Sequence, residues 1–197
     1  MARTKLVFEP LVPKRWRDFE ALFGANGACG GCWCMLHRVA RAQYDARKGA
    51  GNRRAMKKRV ERGTVPGILA YAGSEPIAWC SIEPRSCFPG LARSRVAKPI
   101  DNRPAWVVSC LFVRTDWRAR GVSSALLAAA AEHARAHGAE LVEGFPVSPK
   151  TGAMPAVFAW TGIASAFEKA GFEEVARRSP TRPYMRRELR GQSRQRS

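Results

Sequence analysis

The sequence predicts a mixed α/β domain, and two observations carry that reading. Short apolar runs alternate along the chain with segments of helical periodicity. One of these runs, AWVVSCLFV over 105–113, is almost continuously apolar, as expected of a strand covered on both faces. The 197 residues are enough to bury a substantial core. Hydrophobic residues at 46% and charged residues at 25% exclude wholesale disorder. The expected organisation is one domain over 1–190 followed by a disordered basic tail, 191–197.

The elements follow in order. Residues 5–9 read as a first strand. Trp16, Phe19, Leu22 and Phe23 then recur at helical spacing, which predicts a helix over Lys14–Phe23. The unusual stretch GANGACGGCWCMLHR comes next. The run NRRAMKKRVERG predicts a strongly basic helix over Asn52–Arg62, stopped by Gly63. GILAYAGSEPIAWCSI reads as a hairpin over Gly67–Ile82 turning at Gly73-Ser74.

Residues 83–104 hold four prolines (Pro84, Pro89, Pro99 and Pro104) and scattered arginines. They predict a structureless loop of about twenty residues, a length that suits a lid over a site. After the apolar run at 105–113, an alanine-rich helix is expected from Gly121 to His137. AELVEGFPV then forms a second buried strand. A further loop, SPKTGAMPAVFAW, leads to a short helix ending at Gly171, and strands at 172–177 and 184–188 close the fold.

Composition narrows the function classes. Thirty-four Lys and Arg against sixteen Asp and Glu give a net charge of +18, a field that attracts nucleic acid, acidic surfaces or a phosphate-rich ligand. No apolar run reaches the ~18 residues of a membrane span, and the N-terminus reads without a signal peptide. No membrane partner is expected. Six cysteines are too few for a disulfide scaffold, so reduced thiols in a cytoplasmic protein are expected.

The segment that carries chemistry is CLFVRTDWRARGVSSALL, 110–127. A buried strand ends at Val113, and Arg118-Ala119-Arg120-Gly121-Val122-Ser123 opens a helix whose unpaired N–H groups form an anion site. Small residues at 119, 121, 123 and 124 allow close approach of a ligand to the backbone. No G-x-G-x-x-G follows a strand and no G-x-x-x-x-G-K-[ST] occurs, which removes the dinucleotide-binding and Walker readings.

Arg118-x-x-Gly121-x-Ser123 resembles the acyl-CoA pyrophosphate loop of the GCN5-related N-acetyltransferases (the GNAT superfamily), with Ser where Gly or Ala is usual. The apolar strand before it, the Ala/Leu helix after it, the strand AELVEGF and the element AFEKAGFEEVARR match in order, so the resemblance covers nearly the whole chain. The segment GCWCM is similar to one found in a bacterial branch of the superfamily. The resemblance implies a GNAT-type mixed, mostly antiparallel central sheet of about 6–7 strands flanked by about four helices. It implies acetyl-CoA as the acyl-donor cosubstrate, and it is compatible with a homodimer.

Residue by residue, the resemblance implies that the backbone of Ala119, Arg120, Gly121, Val122, Ser123 and Ser124 holds the pyrophosphate, with Arg118 positioning that loop or meeting the phosphates. The strand end Leu111, Phe112 and Val113 takes the acetyl carbonyl and the pantetheine arm. An amide aimed at the thioester oxygen also stabilises an oxyanion there. The tyrosine that many members use as general acid is replaced by Phe167.

Proton-handling candidates on the strands are Glu83, Glu143 and Cys110, because a buried carboxylate can become a base near neutrality; Tyr184 is a candidate acid. Cys32, Trp33, Cys34, Met35 and Arg38 are expected to wall the acceptor pocket, with Arg38 an anion clamp. The cluster Cys29, Cys32, Cys34 and His37 is too compact for a structural zinc site, and no metal is assigned. The function expected is transfer of an acetyl group from acetyl-CoA to a primary amine of a small molecule or protein. The alternative is a basic nucleic-acid- or ribosome-associated binding protein on the same fold.

Overall fold

The computed structural model describes residues 4–149 and 159–189. Seven strands form one sheet: β1 (Leu6–Pro10), β2 (Gly67–Ala72), β3 (Glu75–Pro84), β4 (Trp106–Val113), β5 (Leu141–Gly144), β6 (Glu173–Ser179) and β7 (Arg182–Glu188). Their order is β1-β2-β3-β4-β5-β7-β6, and every neighbouring pair is antiparallel except β4 and β5. Among the described residues the helices are α1 (Trp16–Phe23), α2 (Arg41–Ala46), α3 (Ala50–Glu61), α4 (Val122–Ala136) and α5 (Ala164–Lys169). The mixed, mostly antiparallel sheet is therefore the one expected, with α2 an addition that sequence periodicity did not reveal. The polar tail 191–197 lies outside the described residues.

The apolar residues of the strands divide into three clusters. On one face, Leu126, Leu127, Ala130, Ala131 and Ala134 of α4 pack on Ile68, Ala78, Cys80, Val108 and Val142, with Phe167 of α5 at the far end. The small alanines let the helix lie close to the sheet. On the other face, Trp16, Phe19, Leu22 and Phe23 of α1 meet Leu69, Tyr71 and Trp79. That cluster is largely aromatic: the Phe19 and Phe23 rings lie 4.0 Å apart, and Phe19 meets Trp79 edge-on at 4.8 Å.

The third cluster corrects an expectation. Residues 83–104 form two short 3-10 turns, Arg85–Cys87 and Pro89–Arg93, and sink Phe88, Leu91 and Ala97 against Val107, Phe145 and Tyr184. Three fully buried apolar side chains make this segment a packed strap, where the sequence suggested a movable lid.

The coil GANGACGGCWCM also has a packing origin. Gly27 runs so close to Trp33 that a Cβ there would sit 2.3 Å from the indole nitrogen. Trp33 and Cys34 take left-handed backbone angles, φ 44° and 55°, at a cost on the order of 1–2 kcal/mol each. Burial of the Trp33 ring against Phe23 at 5.6 Å, and the Trp79 indole donating to Cys34 Sγ at 3.1 Å, hold them there.

Candidate active site

The register of β4 positions the site. Ser81 pairs with Cys110 but Ile82 pairs with Val108, so Ser109 is an extra, bulged residue. β4 pairs with β5 only over Trp106–Val108, and beyond that point the two parallel strands separate. The open edge of β4 from Ser109 onward therefore lacks a strand partner. Leu111 turns its N–H to this edge, where it donates to the Trp160 carbonyl at 2.7 Å. Arg114 donates to Ile77 on the opposite edge; by the two-residue period, Val113 presents its N–H on the same side as Leu111.

The chain then turns through Arg114–Gly121 into α4. Arg118 Nε donates to the Val113 carbonyl at 3.1 Å, which ties the loop to the strand end. Ala119 and Gly121 both have positive φ, 58° and 77°. At Gly121 a Cβ would meet nothing within 4 Å, so the backbone angle, not crowding, favours glycine there. No side chain caps α4, and the first helical bond runs from the Ala125 N–H to the Gly121 carbonyl. The N–H groups of Val122, Ser123 and Ser124 are left at the positive end of the helix dipole.

A cleft of about 600 Å3 joins these two features. Leu111, Phe112 and Val113 line one end, and Arg118, Ala119 and Gly121–Ser124 the other; Arg120 stands outside, its guanidinium 5.2 Å from the Trp117 ring. Arg118 and Lys169 are the charged residues of its walls, and no carboxylate lines it among the described residues. A long polyanion with a polar arm fits this shape: amides and cations at one end, an open strand edge at the other.

A model of the acetyltransferase (GNAT) family matches residues 33–154, more than half of the chain. The chain belongs to the GNAT acetyltransferase family. No curated protein sequence matches it. Its fold is similar to a GNAT-family acetyltransferase from Desulfovibrio desulfuricans, with TM-score 0.54 at 14% identity over 94% of this chain and 100% of that one. It is also similar to AAC(6')-Ib in complex with ribostamycin and coenzyme A, with TM-score 0.56 at 16% identity over 98% of each chain. A third is the PaiA N-acetyltransferase of Thermoplasma acidophilum in complex with coenzyme A, with TM-score 0.51 at 12% identity over 93% and 99%. Family membership makes this chain an acyl-CoA-dependent acetyltransferase with acetyl-CoA as cosubstrate, and the cleft's uncapped helix, cations and strand edge suit that molecule.

Other residues named from the sequence lie elsewhere. Glu83 is buried in ion pairs with Arg38 and, at 2.8 Å, Arg59. Glu143 is buried between Arg85 and its cross-strand partner Arg186, whose guanidinium reaches on to Asp101 at 2.6 Å. Neither carboxylate lines the cleft. Cys110 turns to the α1 face, where it packs against the cluster that holds Cys34. Tyr184 is fully buried and accepts from Arg85 at 2.7 Å; burial, then the nearby Glu143 carboxylate, push its phenol above the ordinary value. Phe167 is a closed hydrocarbon contact under Gly144 and Gly162.

The expected acceptor wall is corrected as well. Trp33, Cys34 and Met35 are core residues under α1, and Cys32 packs against the same cluster, its thiol raised by its bond to Cys34 and then by burial. Arg38 is buried and fully engaged, donating to the Cys34 and Pro66 carbonyls and to Ser81 Oγ besides pairing with Glu83. An arginine so committed cannot clamp a ligand. From this segment it is Ala28 and Cys29 that reach the cleft. Sequence reasoning expected this segment to wall the acceptor pocket. It missed which residues face in, because the left-handed turn at Trp33–Cys34 reverses the side-chain directions that a regular element would have.

Proposed function

We propose that this chain transfers the acetyl group of acetyl-CoA directly to a primary amine, using the open edge of β4 and the N-terminus of α4. The observation that carries the reading is their meeting in one cleft that no carboxylate lines among the described residues. The N–H groups of Val122–Ser124 and the Arg118 side chain hold the pyrophosphate, with the αL turns at Ala119 and Gly121 aiming the amides. Val113 binds the pantetheine arm. The Leu111 N–H meets the acyl carbonyl, taking it in place of the Trp160 carbonyl, and favours negative charge on that oxygen as the amine attacks.

Proton transfer does not run through Glu83, Glu143 or Tyr184, since each is locked in a buried ionic network away from the cleft. The attacking amine must lose its proton to solvent or to a group near Trp160. Two measurements test the proposal together: calorimetric titration with acetyl-CoA, and release of the CoA thiol in the presence of amines. Micromolar binding with amine-dependent thiol release is expected. Absence of binding at low salt overturns the reading and leaves the basic surface of α3 as the functional feature.

A further inference from the structure

Trp160 stands between the acyl cleft and a second, smaller chamber of about 160 Å3. The polar walls of this chamber are His37, Ser94, Ser109, Thr161 and Arg182, and Leu91 and Phe145 supply apolar surface. Ser109 is the bulge residue of β4, two positions before the Leu111 amide, so the chamber begins about 7 Å from the point where the acyl carbonyl is held. That is the reach of one small acceptor.

The chamber's charge is one-sided. Arg182 donates to Thr161 Oγ1 at 3.0 Å, and no carboxylate lines the chamber among the described residues. Arg182 is half-buried, whereas the buried arginines of the neighbourhood are ion-paired: Arg38 with Glu83, Arg186 with Glu143 and Asp101. Burial lowers the Arg182 pKa from its ordinary value, without an acid to offset it. His37, its ring 5.8 Å from that of Trp160, is brought down to about 4 by burial and then by Arg38, so near neutral pH it is an uncharged hydrogen-bond partner. At 160 Å3 the chamber is also smaller than the roughly 300 Å3 at which pockets for drug-sized ligands begin.

We propose that the acceptor is a small amine that also carries a carboxylate, an amino-acid-like molecule, with Arg182 taking the carboxylate and the amine directed past Ser109 toward the acyl carbonyl. This rests on the acetyl-transfer reading above. A guanidinium fork matches a carboxylate in two parallel hydrogen bonds. The same unpaired cation, within a chain of net charge +18, disfavours polycationic acceptors. The anion clamp that the sequence suggested at Arg38 thus falls to a residue 144 positions later, on β7.

The test compares matched amines, each amino acid against the same molecule lacking its α-carboxylate, by CoA thiol release in the wild type, Arg182→Gln and Arg182→Lys. A carboxylated amine should be preferred in kcat/KM by about tenfold to a hundredfold, the range of a charge-assisted bidentate contact. Arg182→Gln should erase the preference mainly through KM, Arg182→Lys should restore part of it, and both should keep the wild-type Tm and acetyl-CoA affinity. Acetyl-CoA binding with preference for the carboxylate-free amines, with no carboxylated amine accepted, or with a preference that survives Arg182→Gln, overturns the proposal and leaves the acyl-site reading standing. Failure of acetyl-CoA to bind at all removes that reading, and this one with it.

Discussion

Gly121→Asp separates a ligand-binding role of the loop from a structural one, because its effects on stability and on binding differ in sign or size. Gly121 lies at φ 77° with open space around its Cα, so an Asp side chain fits sterically. The left-handed angle costs about 1 kcal/mol or more, though Asp tolerates it better than most residues. Against this, a carboxylate beside the uncapped amides of α4 gains about 0.3–1 kcal/mol from the helix dipole. The two nearly cancel, and Tm should move by no more than about 4 °C.

Binding is another matter. A new negative charge about 4 Å from a bound phosphate opposes it by about 1 kcal/mol in water and about 4 kcal/mol at an effective dielectric near 20. The loop is exposed, so the two charges of a pyrophosphate together give about 2–4 kcal/mol, or roughly thirty- to nine-hundred-fold in Kd. Calorimetric titration with acetyl-CoA reads this directly, with Gly121→Ala carrying the backbone strain without the charge. An Asp variant that binds within threefold of wild type would refute the assignment of the pyrophosphate to this helix end.

Three further outcomes follow from the packing. Arg38→Ala should leave Glu83 with Arg59 alone, strand three further acceptors and cost about 3–5 kcal/mol, seen as a Tm lower by about 6–20 °C; an unchanged Tm would return Arg38 to the role of a ligand clamp. Gly144→Ala puts a Cβ 2.2 Å from the Phe167 ring and should cost about 1–3 kcal/mol, partly recovered in a Gly144→Ala, Phe167→Leu double variant; additive losses in denaturant unfolding would contradict that contact. His37 and His133 are both held near 4 by burial, below the usual imidazole value, so the unfolded chain binds protons first. Stability from this source is complete above about pH 6.5 and falls as pH drops toward 4, by about 1–2 kcal/mol for His37 at pH 5 and by less for the more exposed, solvent-screened His133. His37→Gln, His133→Gln should flatten Tm between pH 7 and 5, and an unchanged slope would rule these residues out as its cause.

The strand-to-helix turn at 113–122 was legible in the sequence because its chemistry is local: an apolar run, small residues and a glycine fix the backbone that binds. The acceptor side was not. Arg38 read as an anion clamp and Glu83 as a proton-handling base, yet each is the other's buried partner across 45 positions, a pairing no local pattern encodes. Glu143 found Arg186 through the β5–β7 register in the same way. Arg182 went unnoticed in an arginine-rich chain, since what distinguishes it is the missing acid at its side in the fold. The strap at 83–104 read as a lid because its prolines conceal a hydrophobic pattern carried by only a few residues, Phe88, Leu91 and Ala97.

The central claim is that one molecule of acetyl-CoA spans from the β4 edge to the α4 N-terminus, and backbone amide chemical shifts recorded with increasing acetyl-CoA test it most directly. The account predicts the largest shifts at Leu111, Val113 and Gly121–Ser124, saturating together with a single Kd. Shifts confined to the basic face of α3, or absent from Leu111 and Val122–Ser124, would contradict it.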